Sequence, residues 1–193
     1  MTIHPLATRL FHWINAIAII AMIGSGWQIY NASPILPFSF PSWVTLGGWL
    51  GGGILWHLAA MWVLIANFTL WVLHGLLTGR FRRKLLPLSV TGLIADVREA
   101  LSGKLAHEDL SHYNYVQKLL YLGVLALILL AMLSGFAIWK PVQLHWITDV
   151  MGGFQGARIV HFLAMSGIVA FIAVHAAMAL LVPRTIRAMI TGA

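Results

Sequence analysis

The chain has 193 residues, 60% hydrophobic and only 9% charged, against the ~25% charged that a soluble domain carries. No Asp, Glu, Lys or Arg stands between Arg9 and Arg80, so water is not the solvent of that stretch and the chain reads as an integral membrane protein. The absence of cysteine excludes disulfides, thiolate-held iron–sulfur clusters and covalent c-type haem, five acidic residues argue against a carboxylate hydrolase, and the net charge of +7 lies in short segments between apolar runs, the pattern of a topology signal and not of a nucleic-acid surface.

About 20 apolar residues cross a bilayer, and the first such run predicts a helix over residues 10–30. It is too long for a cleavable signal, lacks a small-residue cleavage site and contains His12 and Asn15. Residues 31–41, with Pro34, Pro37 and Pro41, read as a short rigid loop. The second run predicts a helix over 43–77, undivided because no turn signal follows Gly53. A basic segment comes next, with Arg80, Arg82, Arg83, Lys84, Arg98, Lys104 and Lys118. Inside it, Val90, Leu93, Ile94, Val97 and Leu101 recur at helical spacing. That stretch either lies as an amphipathic helix on the inner membrane surface or packs on the ends of the spanning helices. Helices over 115–140 and 157–183 complete an all-α, four-transmembrane-helix bundle, expected to form a single domain over 1–193. Only Lys140 and Arg158 fall on the side opposite the other basic residues, so both termini are expected on the cytoplasmic side of the membrane.

Two halves of the chain resemble each other. Ser25-Gly26-Trp27-Gln28-Ile29-Tyr30 closes the first helix, and Ser134-Gly135-Phe136-Ala137-Ile138-Trp139 closes the third. In the second and fourth, His57-Leu58-Ala59-Ala60-Met61 matches His161-Phe162-Leu163-Ala164-Met165. The order is the same in both halves, which predicts a duplicated helical hairpin with two related interior sites.

An ionisable side chain inside a bilayer is costly and marks function by default. His12, His57, His74, His161 and His175 lie within or at the margin of the spans. Any one alone could be an interhelical hydrogen bond or a headgroup-boundary residue, but their spacing says more. His161 and His175 differ by about 40° around a helix and about 21 Å along it. They share a face and are too far apart to hold one ion. By depth, His57 pairs with His161 toward the outside and His12 with His175 toward the inside. Two imidazoles approaching from opposite sides are the axial ligands of a six-coordinate b-type haem, so two haems b are expected, with these four histidines on the irons. A zinc site would need further converging ligands. His74 is the rival to His12 for the inner iron, but it points about 100° away from His57 around its helix. His4, His107, His112 and His145 fall in loops or helix ends.

Haem propionates need cationic partners. Arg9, Lys118 and Arg184 are placed for the inner haem, Arg158 and Lys140 for the outer, although topology alone explains each. Gly24, Gly26 and Gly135 leave room for a porphyrin. Gly47, Gly48, Gly51, Gly52 and Gly53 thin one face of the second helix, either for a porphyrin or for close helix packing.

Arg9-Leu10-Phe11-His12-Trp13, His57, the His161/His175 pair and Tyr113-Asn114-Tyr115-Val116-Gln117-Lys118 together resemble the bacterial cytochrome b561 family over essentially the whole chain. That group includes the b-type cytochrome subunits of nickel–iron hydrogenase, formate dehydrogenase and thiosulfate reductase. The resemblance implies two haems b, a quinone site near the inner haem, and electron exchange with a periplasmic redox protein or catalytic subunit. His74, His112, Asn114 and Gln117 cluster at the inner end as candidates for the quinone site, or serve there as helix caps and interface residues. The expected function is a membrane dihaem cytochrome b carrying electrons between the quinone pool and that partner. The alternatives are a stand-alone superoxide:quinone oxidoreductase of the same family and a haem-free scaffold or transporter.

Overall fold

The computed structural model describes residues 4–101 and 114–192, so Lys104, His107, His112 and Tyr113 lie outside the described residues. Four helices are long and apolar enough to cross a membrane: α1 (Leu6–Ala32), α2 (Leu50–Leu77), α5 (Tyr115–Trp139) and α7 (Gly153–Leu181). Short helices α3 (Arg80–Leu85), α4 (Val90–Leu101), α6 (His145–Val150) and α8 (Pro183–Thr191) connect or flank them. Ile17, Ile20, Leu55, Leu163 and Leu180 are exposed. Such outward apolar side chains suit lipid and not water, which makes the chain an all-α, multi-pass membrane protein.

The chain forms two compact units, Pro5–His74 and essentially everything from Gly75 onward. In the first, α1 and α2 make a hairpin whose connecting loop is tied by side chains. Tyr30 Oη accepts from the Leu36 amide at 3.1 Å and donates to its carbonyl at 3.2 Å. Asn31 pairs with both backbone groups of Phe40 at 2.8 Å. The loop expected from its prolines is therefore rigid for a second reason, since its backbone groups are satisfied by the end of α1.

Helix α2 begins at Leu50, later than the expected residue 43. Gly47 and Gly48 have φ of +116° and +73°, conformations that end a right-handed helix and favour glycine. They form a turn before α2 and are not part of its face. At Gly53 a Cβ would stand 2.9 Å from Gln28 Cγ, so the start of α2 presses directly on the end of α1. Lower down, the buried Asn67 donates from Nδ2 to the Phe11 carbonyl and to Asn15 Oδ1, both at 2.8 Å. These bonds clasp the two helices deep in apolar surroundings.

In the second unit α5 and α7 form the other hairpin. It packs closely enough that a Cβ at Gly167 would approach Leu127 Cδ1 to 2.9 Å. Helix α6 closes its loop end, with Ala137, Ile147 and Ala157 buried together and Thr148 Oγ1 donating to the Ala137 carbonyl at 3.2 Å. Helix α5 starts with a capping box: Asn114 Oδ1 accepts from the Gln117 amide at 2.7 Å, and Gln117 Oε1 accepts from the Asn114 amide at 3.1 Å. Helix α4 packs there too, Asp96 Oδ2 accepting from the Tyr115 amide. Its Val90, Ile94 and Val97 stay exposed, so it is an amphipathic helix packed on the end of α5.

Candidate functional site

Each hairpin builds the same contact near its loop-connected end. In the first, Ser25 on α1 faces His57 on α2, Oγ to Nδ1 at 3.0 Å. In the second, Ser134 on α5 faces His161 on α7 at 3.1 Å. Both serines are fully buried. Both donate their hydroxyl proton back along their own helix, Ser25 to the Ala21 carbonyl at 2.6 Å and Ser134 to the Leu130 carbonyl at 2.7 Å. The next residue is glycine in each case. A Cβ at Gly26 would stand 3.3 Å from His57 Cε1, and one at Gly135 would stand 3.2 Å from His161 Cε1. These glycines make room for an imidazole. At Gly24 the loop between α1 and α2 docks on the helix, Leu46 N donating to the Gly24 carbonyl at 2.9 Å.

The contacts fix what each ring can offer. His161 Nδ1 also lies 2.9 Å from the Ala131 carbonyl. A carbonyl oxygen only accepts, so Nδ1 carries the proton and donates. Nε2 then keeps its lone pair. A neutral imidazole with one nitrogen held as a donor and the other free of its proton is the form that ligates a metal. His57 stands in the same relation to Ser25. Among the described residues no three His, Asp or Glu side chains gather to hold an ion. The donor set therefore fits a metal that brings most of its own ligands, as a porphyrin iron does.

His12 lies in the first half of α1, its ring in edge contact with Trp13 at 5.2 Å. His175 lies in the second half of α7, stacked on Phe171 at 5.5 Å and 12°. Phe171 in turn meets Tyr121 edge-on at 6.4 Å. His74 packs beside Phe11, ring centroids 5.9 Å apart. Arg9 and Arg158 each precede a candidate ligand by three residues, on the same helix face as His12 and His161 respectively; Arg158 Nη1 donates to Gln155 Oε1 at 2.9 Å. Lys118 lies over the Tyr115 ring at 4.9 Å and donates to the Pro87 carbonyl. Lys140 lies over Trp139 at 4.7 Å. Asn114 and Gln117 have their side-chain oxygens in the capping box.

Sequence reasoning assigned no site role to Ser25, Ser134 or Asn67. The serines had a signal in the Ser-Gly pair that recurs with the histidine in both halves. Asn67 had one in being a lone amide amid apolar residues.

Two membrane hairpins, each with a histidine held by a serine of the facing helix, offer the kind of donor that a b-type haem would use. The chain belongs to the prokaryotic cytochrome b561 family, which it matches over residues 3–192, and membership implies b-type haem and a membrane electron-transfer role. A relative from Azospira oryzae, named "Putative protein-methionine-sulfoxide reductase subunit YedZ1", is 48% identical over 190 residues, covering 98% of this chain and 96% of its own.

Proposed function

We propose that this chain carries electrons from the quinone pool, through two haems b, to a catalytic partner that reduces methionine sulfoxide in periplasmic proteins. The duplicated Ser–His contact carries the haem half of this reading, because it leaves two imidazoles with Nε2 ready for iron. In this reading His57 and His161 hold the outer haem, and His12 and His175 the inner. The bound irons supply one-electron carriage by cycling between ferric and ferrous. Arg9 and Arg158, one turn from His12 and His161, would supply cations for the propionates, with Lys118 as a further one.

The spacing of His161 and His175 sets the span to be crossed at about 21 Å along α7. The apolar helices keep water out and hold the local dielectric low. The partner comes from the relative's name, which describes a subunit of a protein-methionine-sulfoxide reductase. Reducing one sulfoxide takes two electrons and two protons and releases water. A quinol oxidised near the inner end gives up two electrons and two protons, with His74, Asn114 and Gln117 as the polar groups at hand. The basic residues favour cytoplasmic termini in an inner membrane.

The test is anaerobic. Membranes holding the chain and its co-purified partner are given a soluble ubiquinol or menaquinol analogue, then a methionine-sulfoxide protein. Reduction of the haem bands by the quinol and their reoxidation by the sulfoxide support the proposal. Haems that quinol reduces but the sulfoxide leaves reduced would place the partner elsewhere.

A further inference from the structure

The geometry points to Ser25 and Ser134 as positioning residues that lock their imidazoles in the Nδ1–H form and set the electron affinity of the iron those rings ligate. This rests on the haem reading given above. Each serine hydroxyl has its single proton committed to a carbonyl one turn back, at 2.6 and 2.7 Å. An oxygen so committed turns only lone pairs toward Nδ1, 3.0 and 3.1 Å away. A ring lone pair facing it would be repelled, so the proton sits on Nδ1, shared at His161 between Ser134 Oγ and the Ala131 carbonyl at 2.9 Å, and Nε2 is left for iron. A hydroxyl that is already donating is also a stronger acceptor than one that is not, because hydrogen bonds in a chain polarise one another. The imidazole it accepts from becomes more electron-rich, which favours ferric over ferrous iron and lowers the midpoint potential.

Serines in membrane helices commonly bond back to their own turn, and that bond alone would explain their burial. It does not explain the imidazole. The same serine meets the same ring atom in both hairpins, while the flanking residues have diverged, Trp27 and Gln28 standing where Phe136 and Ala137 stand. Gly26 and Gly135 complete the arrangement. Each lets the ring lie against the helix backbone, 3.3 and 3.2 Å from where a Cβ would be, so the serine oxygen is within reach.

The experiment uses the haem-loaded full chain in detergent, with Ser25→Ala, Ser134→Ala, the double variant, and the corresponding cysteine variants, which keep the volume but accept hydrogen bonds poorly. Redox titration of each haem band and the ferric near-infrared charge-transfer band are read. The expected result is an upward shift in the midpoint of one haem in each single variant. The double variant shifts further, the second haem stays put, and cysteine behaves as alanine does. Unmoved midpoints in the double alanine variant, or cysteine restoring the original midpoint, would overturn the inference. Haem lost from the alanine variants and recovered with cysteine would overturn it too, because volume would then be the requirement; haem that cysteine fails to recover supports it. Absence of any bis-imidazole signal in the wild-type protein would overturn the haem reading and this inference together, whereas a normal wild-type signal with unmoved midpoints overturns the inference alone.

Discussion

Ser134 Oγ stands 3.1 Å from His161 Nδ1 while its own proton goes to the Leu130 carbonyl. The Ser25–His57 pair repeats the arrangement in the other hairpin. One local geometry, used twice, holds the Nδ1 side of two membrane histidines against a serine hydroxyl, and in the haem reading proposed above it would preorganise both rings as ligands.

Ligand pairing makes the first prediction. His57→Ala and His161→Ala should each remove the same haem and leave the other, and His12→Ala and His175→Ala should do the reverse. Reduced-minus-oxidised spectra of the four purified variants check this. Inner-haem loss in His74→Ala with retention in His12→Ala would move the inner ligand to His74.

The glycines beside the rings give the second. In Gly135→Ala the new Cβ would stand 3.2 Å from His161 Cε1, tighter than ordinary contact, and the ring has to give way. Overpacking of this kind costs about 1–3 kcal/mol. Haem retention at the His161 site should fall while the inner haem persists, and Gly123→Ala, whose Cβ meets nothing within 4 Å, should leave both haems bound.

The clasp between α1 and α2 gives the third. Asn67→Leu loses both donor bonds from Nδ2, to the Phe11 carbonyl and to Asn15. Interhelical hydrogen bonds in membranes are worth about 0.6–2 kcal/mol. Thermal unfolding in detergent should begin several degrees lower for this variant than for the wild type, while Asn15→Leu, which keeps the bond to the Phe11 carbonyl, should lose less.

For the quinone, Gln117 has to be tested apart from its capping role. Gln117→Ala removes one arm of the capping box, the bond from the Asn114 amide to Oε1, at a cost of about 0.5–1.5 kcal/mol, while Asn114 Oδ1 still accepts from the backbone amide at 117; Gln117→Glu keeps both arms, since Glu serves the same position. If Gln117 also serves the quinone, both variants, alone or with His74→Ala, should slow quinol-driven haem reduction in stopped-flow with both haems retained. Normal kinetics in the Gln117→Glu, His74→Ala double variant would move the site away from this end.

Most of the architecture was legible in the sequence, because a long uncharged run in a membrane can only be a helix or a closed barrel strand set. The run lengths of α1, α2, α5 and α7 favoured helices. The duplication was legible too, through the matched Ser-Gly and His positions. The start of α2 was not. Counting apolar letters places Gly47 and Gly48 in a helix, whereas their positive φ makes them a turn. The role of Ser25 was hidden for a related reason. A helical serine looks complete once bonded to its own turn, and its imidazole partner is 32 residues away in the chain. The capping box was legible as Asn-x-x-Gln before an apolar run, and it is where Asn114 and Gln117 place their oxygens.

Haem stoichiometry separates a dihaem cytochrome from its alternatives. The chain, purified after expression under saturating haem supply, is extracted with acidified organic solvent, which releases haem that no cysteine tethers. The released haem is then counted against protein by pyridine haemochrome absorbance. Two haems b per chain, both low-spin in the intact protein, is the expected count; one haem or none would overturn the dihaem reading.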